Sequence, residues 1–332
     1  MSDLTTPTVE MLWERASPHD VLRDRFGFSD AQAASEWITE TVRAVWGIDA
    51  SDCTRIVMSD KNALAWLSSS SGSLVAKWSI AREKFERLDA LSRIVSALAD
   101  DDIPVSAPVV ALDGRLQVEV DGVSLALQRK VPGQILDVDD PAQVYASGAV
   151  LGRLHHALAQ APDAGGVLAS PEGVPSLSER IEAWLHGDRA HLPPQAIRTL
   201  RDALPDRGDD RPAQLLHGDF RSTNVLWSDG RISAVLDFDE ARVDDRLDEL
   251  ARSAVLLGTK FTEWEPVTPD VRGEFLRGYE STNSLTDSEL RWWRALVLWY
   301  TLAMVPISDT SSSWSHAAVE ELSAPHWTGR RP

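Results

Sequence analysis

The sequence predicts an α+β fold in two lobes: a small antiparallel β-sheet carrying one helix, then a mainly helical half, with extra helices in front. Three observations point there. The chain has 332 residues, room for two domains at about 150 residues each. Between residues 54 and 128 short apolar runs alternate with turn-forming clusters, the pattern of hairpins. From Asp140 onward the apolar period becomes helical. The expected divisions are 1–50 as an N-terminal helical extension, 51–133 as the sheet-bearing lobe and 134–332 as the helical lobe.

Each element has its own signal. Ser29 and Gln32 have capping-box spacing, Trp37, Ile38, Val42, Val45 and Trp46 follow at helical spacing, and Gly47 stops the run. Thr54–Met58 and Ala63–Leu67 flank Ser59-Asp60-Lys61-Asn62 as a hairpin, and after a turn at Ser69–Gly72 a third strand covers Ser73–Trp78. Arg82–Leu98 reads as a helix with Phe85, Leu88, Leu91, Val95 and Leu98 on one face. Val109–Leu112, Leu116–Val120 and Val123–Gln128 read as strands, the first two joined by Asp113-Gly114. Asp140 caps a long helix with Pro141 at its first position and Val144, Leu151, Leu154 and Leu158 as its stripe. His155 and His156 on that helix read as satisfied structural histidines. Residues 161–175 read as a loop. Helices follow at Leu177–His186, Pro194–Leu204, Arg246–Leu257, Val271–Tyr279 and Asp287–Val305, the last with a Thr286/Glu289 capping box. Most of the 13 tryptophans should be core, some lining a pocket.

Charge narrows the function. The 33 Lys and Arg against 51 Asp and Glu leave a net −18, which repels nucleic acid and anionic lipid at long range. The acidity has two readings, solubility or attraction of a cationic small molecule. The first residues, Met1–Thr6, have neither a basic nor an apolar segment, and the longest apolar run, Ala295–Val305, is far short of about 20 residues. No membrane or nucleic-acid partner and a cytoplasmic location are expected. The single cysteine, Cys53, has no disulfide partner in the chain and reads as packed.

One stretch carries chemistry: His217-Gly218-Asp219-Phe220-Arg221-Ser222-Thr223-Asn224, then an apolar hairpin, Val225–Trp227 and Ile232–Leu236, ending in Asp237-Phe238-Asp239. Asn224 and Asp237 are equidistant from a midpoint between Gly230 and Arg231. Regular pairing would set them face to face, with Cβ atoms about 5 Å apart. An amide and a carboxylate there suit Mg²⁺, which takes oxygen ligands and keeps waters and phosphate oxygens. Asp219, five residues earlier, is placed to take the proton of an attacking hydroxyl.

This stretch resembles the catalytic loop of the aminoglycoside phosphotransferase and choline kinase superfamily, a branch of the protein-kinase-like fold. Glycine stands where the protein-kinase motif H-R-D-x-x-x-x-N has arginine. The resemblance implies Asp219 as catalytic base, His217 as support for the loop, and Asn224 and Asp237 as Mg²⁺ ligands. Leu74-Val75-Ala76-Lys77 resembles the third-strand motif, making Lys77 the contact to the ATP phosphates. Its glutamate partner would be Glu86 or Glu83, with Glu86 preferred because it lies deeper in the helix. Residues 127–133 resemble the hinge, in which backbone groups of Arg129 and Val131 pair with adenine. Leu151-Gly152-Arg153-Leu154-His155 resembles the family's helix after the hinge. Asp245 and Glu249-Leu250-Ala251 echo its GDP-x-x-DLA ending, with Arg246 and Glu249 as departures. The first hairpin lacks the glycine-rich phosphate loop.

The resemblance implies an ATP- and Mg²⁺-dependent kinase of a small-molecule hydroxyl, as a monomer or homodimer. Asp239, Glu240, Asp244, Asp245, Asp248, Glu249, Glu263, Glu265, Asp270 and Glu274 crowd the region after Asp237. They make a cationic aminoglycoside-type antibiotic the first expectation for the acceptor. They could equally face solvent or pair with Arg242, Arg246 and Arg252. Choline-, homoserine-, sugar- and macrolide-type acceptors stay open. The reading from another class is a nucleotide-binding pseudokinase scaffold, against which the intact Asp219/Asn224/Asp237 set speaks. A metal hydrolase fits less well, for no histidine-rich ligand cluster accompanies those carboxylates.

Overall fold

A computed structural model describes residues 6–70, 72–161, 168, 173–205, 211–309 and 311–324. The chain divides into two compact units, Met1–Pro132 and Gly133–Pro332. The first holds a six-stranded sheet in the order β1-β2-β3-β4-β6-β5. Its strands are β1 (Thr8–Met11), β2 (Ala50–Met58), β3 (Asn62–Ser69), β4 (Gly72–Ser79), β5 (Val118–Val120) and β6 (Val123–Arg129). Its helices are α1 (Pro18–Asp24), α2 (Ala31–Trp46) and α3 (Phe85–Asp100), the last entered through a 3₁₀ turn at Arg82–Lys84.

The first fifty residues are more than a helical extension. β1 pairs parallel with β2, Thr8 opposite Arg55 and Met11 opposite Met58. Val21, Leu22, Ile38, Val42 and Trp46 are buried in one cluster with Ile56, Ala65, Leu74, Ala76, Trp78 and Leu125 of the sheet. Phe26 and Trp37 meet Trp78 edge-on, at ring centroids 6.3 and 5.7 Å away. This segment is therefore part of the core of the first unit. Cys53 is fully buried in it, and burial pushes its thiol up to about 11, which keeps it protonated and unreactive.

Two further expectations change. α2 is capped by Asp30, whose carboxylate accepts from the Ala33 N–H at 2.9 Å, and Ser29 lies outside the cap. Gly47 does end the helix, at φ 65°. Residues 109–112 are no strand. Their N–H groups go to different elements: Val109 to Leu127 O, Ala111 to Arg115 O and Leu112 to Val45 O. No ladder can form from such divided partners, and only Pro108 makes a single bridge, to Gln128.

The second unit carries β7 (Gln134–Ile135), β8 (Gln214–Leu216), β9 (Val225–Ser228), β10 (Arg231–Val235) and β11 (Arg242–Asp244). They form two small sheets, β10-β9-β7 and β11-β8. The helices are α4 (Pro141–Gln160), α5 (Leu177–Leu185), α6 (Pro194–Ala203), α7 (Arg246–Leu256), α8 (Pro269–Glu280), α9 (Asp287–Ala303) and α10 (Ser313–Leu322). Asp140 caps α4, and the Thr286/Glu289 box closes on α9. α4 and α8 pack so closely that a Cβ on Gly148 would lie 2.0 Å from Phe275 O, so only glycine fits. The loop expected at 161–175 lies mostly outside the described residues. Among the described residues no helix is long and apolar enough to cross a membrane.

Candidate active site

β8 delivers the chain to His217, and Gly218 turns it at φ 86°. A side chain there would be strained by that φ and would place Cβ 2.0 Å from Glu240 O. The turn presents Asp219 half-buried, at the start of a path that runs through a 3₁₀ turn (Ser222–Asn224) into β9. The His217 ring is fully buried. Its Nε2 donates to Leu236 O at 2.8 Å, so the hydrogen sits there and Nδ1 accepts from the Asp219 N–H at 3.2 Å. One ring thus ties the loop to the strand that precedes Asp237. Phe238 packs on it, with centroids 4.5 Å apart.

The β9–β10 hairpin is not the regular ladder that would oppose Asn224 and Asp237. Arg231 pairs with Ser228 and Ile232 with Trp227, then the register slips at Ser233, so that Ala234 pairs with Leu226 and Val235 with Val225. The turn is Asp229-Gly230, and a bulge adds one residue to the second strand. Leu236 therefore faces Asn224, its N–H donating to Asn224 O at 2.8 Å. Asp237 lies one residue further, exposed, in left-handed backbone at φ 61°. Asn224 is buried, and its Nδ2 donates to Asp219 O at 2.8 Å and to Asp219 Oδ2 at 3.0 Å. With the amide nitrogen so engaged, Oδ1 is the side-chain atom able to ligate a hard cation.

A carboxylate outside the expected set holds this loop. Glu249, on α7, is 1 % exposed and accepts from three donors. His217 N–H reaches Oε2 at 3.1 Å, His155 Nε2 reaches the same oxygen at 2.8 Å, and the Gly218 N–H bonds Oε1. Burial alone would raise its pKa. The His155 hydrogen bond and charge, with His217 and the loop N–H, overcome that and hold it at about 2. The other nitrogen of His155, Nδ1, lies 3.0 Å from the Tyr279 hydroxyl, which accepts from Arg246 at 3.0 Å; Arg246 in turn pairs with Glu289. His155 is therefore a satisfied core histidine, as its helix position suggested, but its partner is the loop's anchor.

Arginines surround the other side of the loop. Gly218 O accepts from Arg252 at 2.6 Å and from Arg242 at 3.1 Å. Asp219 Oδ2 accepts from Arg221 Nε at 3.0 Å, and Arg252 Nη2 lies 3.8 Å from Oδ1. Several of the acids expected to face a cationic acceptor are paired within the chain. Asp244 and Asp248 pair with Arg180 and Arg242, and Asp245 with Arg211. Glu274 pairs with Arg277, and Glu263 lies 4.0 Å from Lys260. Asp248, 1 % exposed, also accepts from the Tyr300 hydroxyl at 2.6 Å. A buried carboxylate held by guanidinium groups cannot also hold a soluble polycation.

In the first unit, Lys77 is half-buried on β4, opposite Leu64 of β3 and Ala126 of β6. Leu74, Ala76 and Trp78 alternate with it and go into the core, so Lys77 lies on the other face of the sheet. Glu83 is taken by Lys61, at 2.7 Å, and Glu86 stands exposed in the first turn of α3. Arg129 is exposed at the end of β6, and its carbonyl accepts from Ser106 at 3.3 Å; Val131 is half-buried just beyond. The Ser59–Asn62 turn is clamped. Arg25 donates to Ser59 O at 3.2 Å and Asp60 O at 3.1 Å while forking onto both oxygens of Glu14. Sequence named Glu249 only as a departure and one of the acids, and Arg252 only as a partner for those acids; it gave Arg221 and Arg25 no role. The Glu-Leu-Ala echo marked the place of Glu249 without its role.

Several known proteins are similar to this chain. Homoserine kinases are similar: one from Neisseria meningitidis serogroup B is 25% identical over 222 residues, covering 62% of this chain and 66% of that protein. One from Gluconacetobacter diazotrophicus is 30% identical, covering 60% and 62%. Stress response kinase A of Salmonella choleraesuis is 30% identical over 180 residues, 52% of each chain. Each match spans less than two thirds of the relative. Among solved structures, macrolide 2'-phosphotransferase from Brachybacterium faecium has a TM-score of 0.57 at 19% identity, covering 87% of this chain and 99% of that one. An amicoumacin kinase has a TM-score of 0.55 at 19% identity, covering 86% and 91%. Both share the two-lobed fold. The model of the phosphotransferase enzyme family matches residues 60–296, and the chain belongs to that family.

Proposed function

We propose that the protein is an ATP- and Mg²⁺-dependent kinase of a small-molecule hydroxyl. The observation that carries this is the loop itself: Asp219 held half-buried by Asn224, with the backbone before it anchored by Glu249. On this reading the acceptor oxygen bonds the γ-phosphorus while the bond from that phosphorus to the β,γ-bridging oxygen breaks. ADP leaves, and the acceptor proton passes to the Asp219 carboxylate. Asn224 and Asp237 are the residues that would hold Mg²⁺, whose charge, when bound, offsets that of the phosphates. His217 fixes the loop. Lys77 is assigned to the ATP phosphates with Glu86 as its partner, and the backbone of Arg129 and Val131 to adenine. The similar amicoumacin kinase was solved with AMP-PNP and Ca²⁺, which supports a nucleotide with a divalent ion.

The test is ADP release from purified protein with ATP and Mg²⁺ across hydroxy amino acids, hydroxy acids, amino alcohols, sugars, macrolides and aminoglycosides. One class should raise ADP release at least about tenfold over the rate with water. Tight ATP binding with no acceptor-stimulated release would favour the scaffold reading instead.

The clamped turn yields a second expectation. If it covers the phosphates in place of a glycine-rich loop, Arg25 is a positioning residue, since its donors fix two turn carbonyls. Arg25→Met should raise the KM for ATP about fivefold, the equivalent of about 1 kcal/mol, while kcat stays within about twofold. Arg25→Lys should recover part of the loss. Faster amide exchange at residues 60–62 without a change in KM would show a purely structural clamp.

A further inference from the structure

The acidic chain carries a basic patch at its reactive centre. Around Asp219 stand two guanidinium groups, Arg221 and Arg252, with 17% and 29% of their side chains exposed. Both guanidiniums reach the same carboxylate, which cannot satisfy all their donors. The donors are also underused. Each guanidinium has five N–H groups. Among the described residues, Arg221 spends its Nε–H on Asp219 and Arg252 spends an Nη1–H on Gly218 O. Arg252 Nη2 also faces Asp219 Oδ1 at 3.8 Å, and the other N–H groups of the two make no hydrogen bond to a described residue. Trp264, 47% exposed, offers an aromatic face 5.9 Å from the Arg221 guanidinium, flat apolar surface beside the charge.

Resting on the kinase reading, we propose that the acceptor carries a carboxylate beside its hydroxyl, and that Arg252 with Arg221 binds that carboxylate at Asp219. Guanidinium forks match carboxylates in geometry as well as in charge. A polycationic acceptor would meet like charge at the point of reaction. A carboxylate bound here brings a nearby hydroxyl toward the base, which binding at a distance would not do. The residues separate by role: Arg221 rides on the catalytic loop, two residues after Asp219, whereas Arg252 projects from α7. Arg252 is therefore the one of the two outside the loop, to which it is tied by its hydrogen bond to Gly218 O.

An oxyanion at these arginines could come from the acceptor or from the γ-phosphate of ATP, and binding separates the two. Wild type, Arg252→Met and Arg252→Lys are titrated with ADP and with AMP-PNP, each with Mg²⁺. The ADP-saturated proteins are then titrated with 4-hydroxybutyrate, L-homoserine and 3-aminopropan-1-ol, following the melting temperature. Both nucleotides should bind wild type and Arg252→Met within about twofold of each other. At least one of the two carboxylates should bind ADP-loaded wild type saturably, the amino alcohol should not, and Arg252→Met should weaken that binding about tenfold or more, the worth of one charge-assisted hydrogen bond. Arg252→Lys should lie between. AMP-PNP weakened tenfold with ADP unchanged would assign the arginine to the γ-phosphate and overturn the proposal. So would binding of the amino alcohol, or of neither carboxylate. Failure of wild type to bind either nucleotide would overturn the kinase reading itself.

Discussion

Asp219→Asn should lower phosphoryl transfer by about 10²- to 10⁴-fold, the usual contribution of a positioned general base, while ATP still binds. The substitution is nearly isosteric. An amide oxygen can still accept from Arg221 and Asn224, which now meet Asp219 Oδ2 at 3.0 Å each. What is lost is the capacity to take a proton. Removing an anion beside two guanidiniums should leave nucleotide affinity unchanged or slightly higher, because ATP is itself polyanionic. The measurement is a single-turnover assay beside a nucleotide titration. Turnover within about threefold of wild type would remove Asp219 from the proposed role.

Glu249→Gln should cost about 3 to 5 kcal/mol of stability in the second unit, as breaking a buried ionic network does. Three donors converge on this carboxylate, from His155, His217 and Gly218. A carboxamide offers one oxygen, and its NH₂ must face a group that also donates. The same change should lower kcat about 10²-fold, since the loop bearing Asp219 loses its anchor and small misplacements are costly. The pH dependence gives an independent readout. The Glu249 pKa is about 2 in the folded chain against an ordinary 4.5. A lowered folded pKa stabilises fully above the unfolded value and is lost as pH falls through the folded one. Wild type should therefore lose about 3 kcal/mol between pH 4.5 and 2 from this group. Urea titrations should show that slope flattened in Glu249→Gln, and an unchanged slope would place the acid sensitivity elsewhere.

What was legible in the sequence was whatever depends on neighbours in the chain. Hairpins β2–β3 and β9–β10, the long helix behind Asp140 and the Thr286/Glu289 box follow from local period and capping, and they stand where that logic put them. β1 escaped because four residues pairing in parallel across more than forty positions leave no local periodicity. The expected face-to-face Asn224 and Asp237 failed on a single bulge at Ser233, for an extra residue in one strand shifts every pair beyond it. The site's loop could be read from its residue types, but its anchor could not. Glu249 meets His217 from more than thirty residues away, and a glutamate in a helix is ordinary until its partners are known. The acidic tract left two readings open for the same reason. Counting charges along the chain cannot show that Arg180 and Arg242 already answer Asp244 and Asp248.

The left-handed backbone at Asp237 bears on how such a protein can diverge. Among residues with a Cβ, Asp and Asn enter that region most readily, and others pay about 1 to 2 kcal/mol. Position 237 is thus filtered twice over generations of mutation. Conformation admits glycine, asparagine and aspartate, and the proposed contact with a cation demands a side-chain oxygen. Glutamate, the obvious chemical substitute, fails the first filter, and glycine the second. Asparagine alone passes both, at the loss of one charge. A lineage drifting away from phosphoryl transfer has one easy step open to it here, and asparagine at 237 would be its earliest trace.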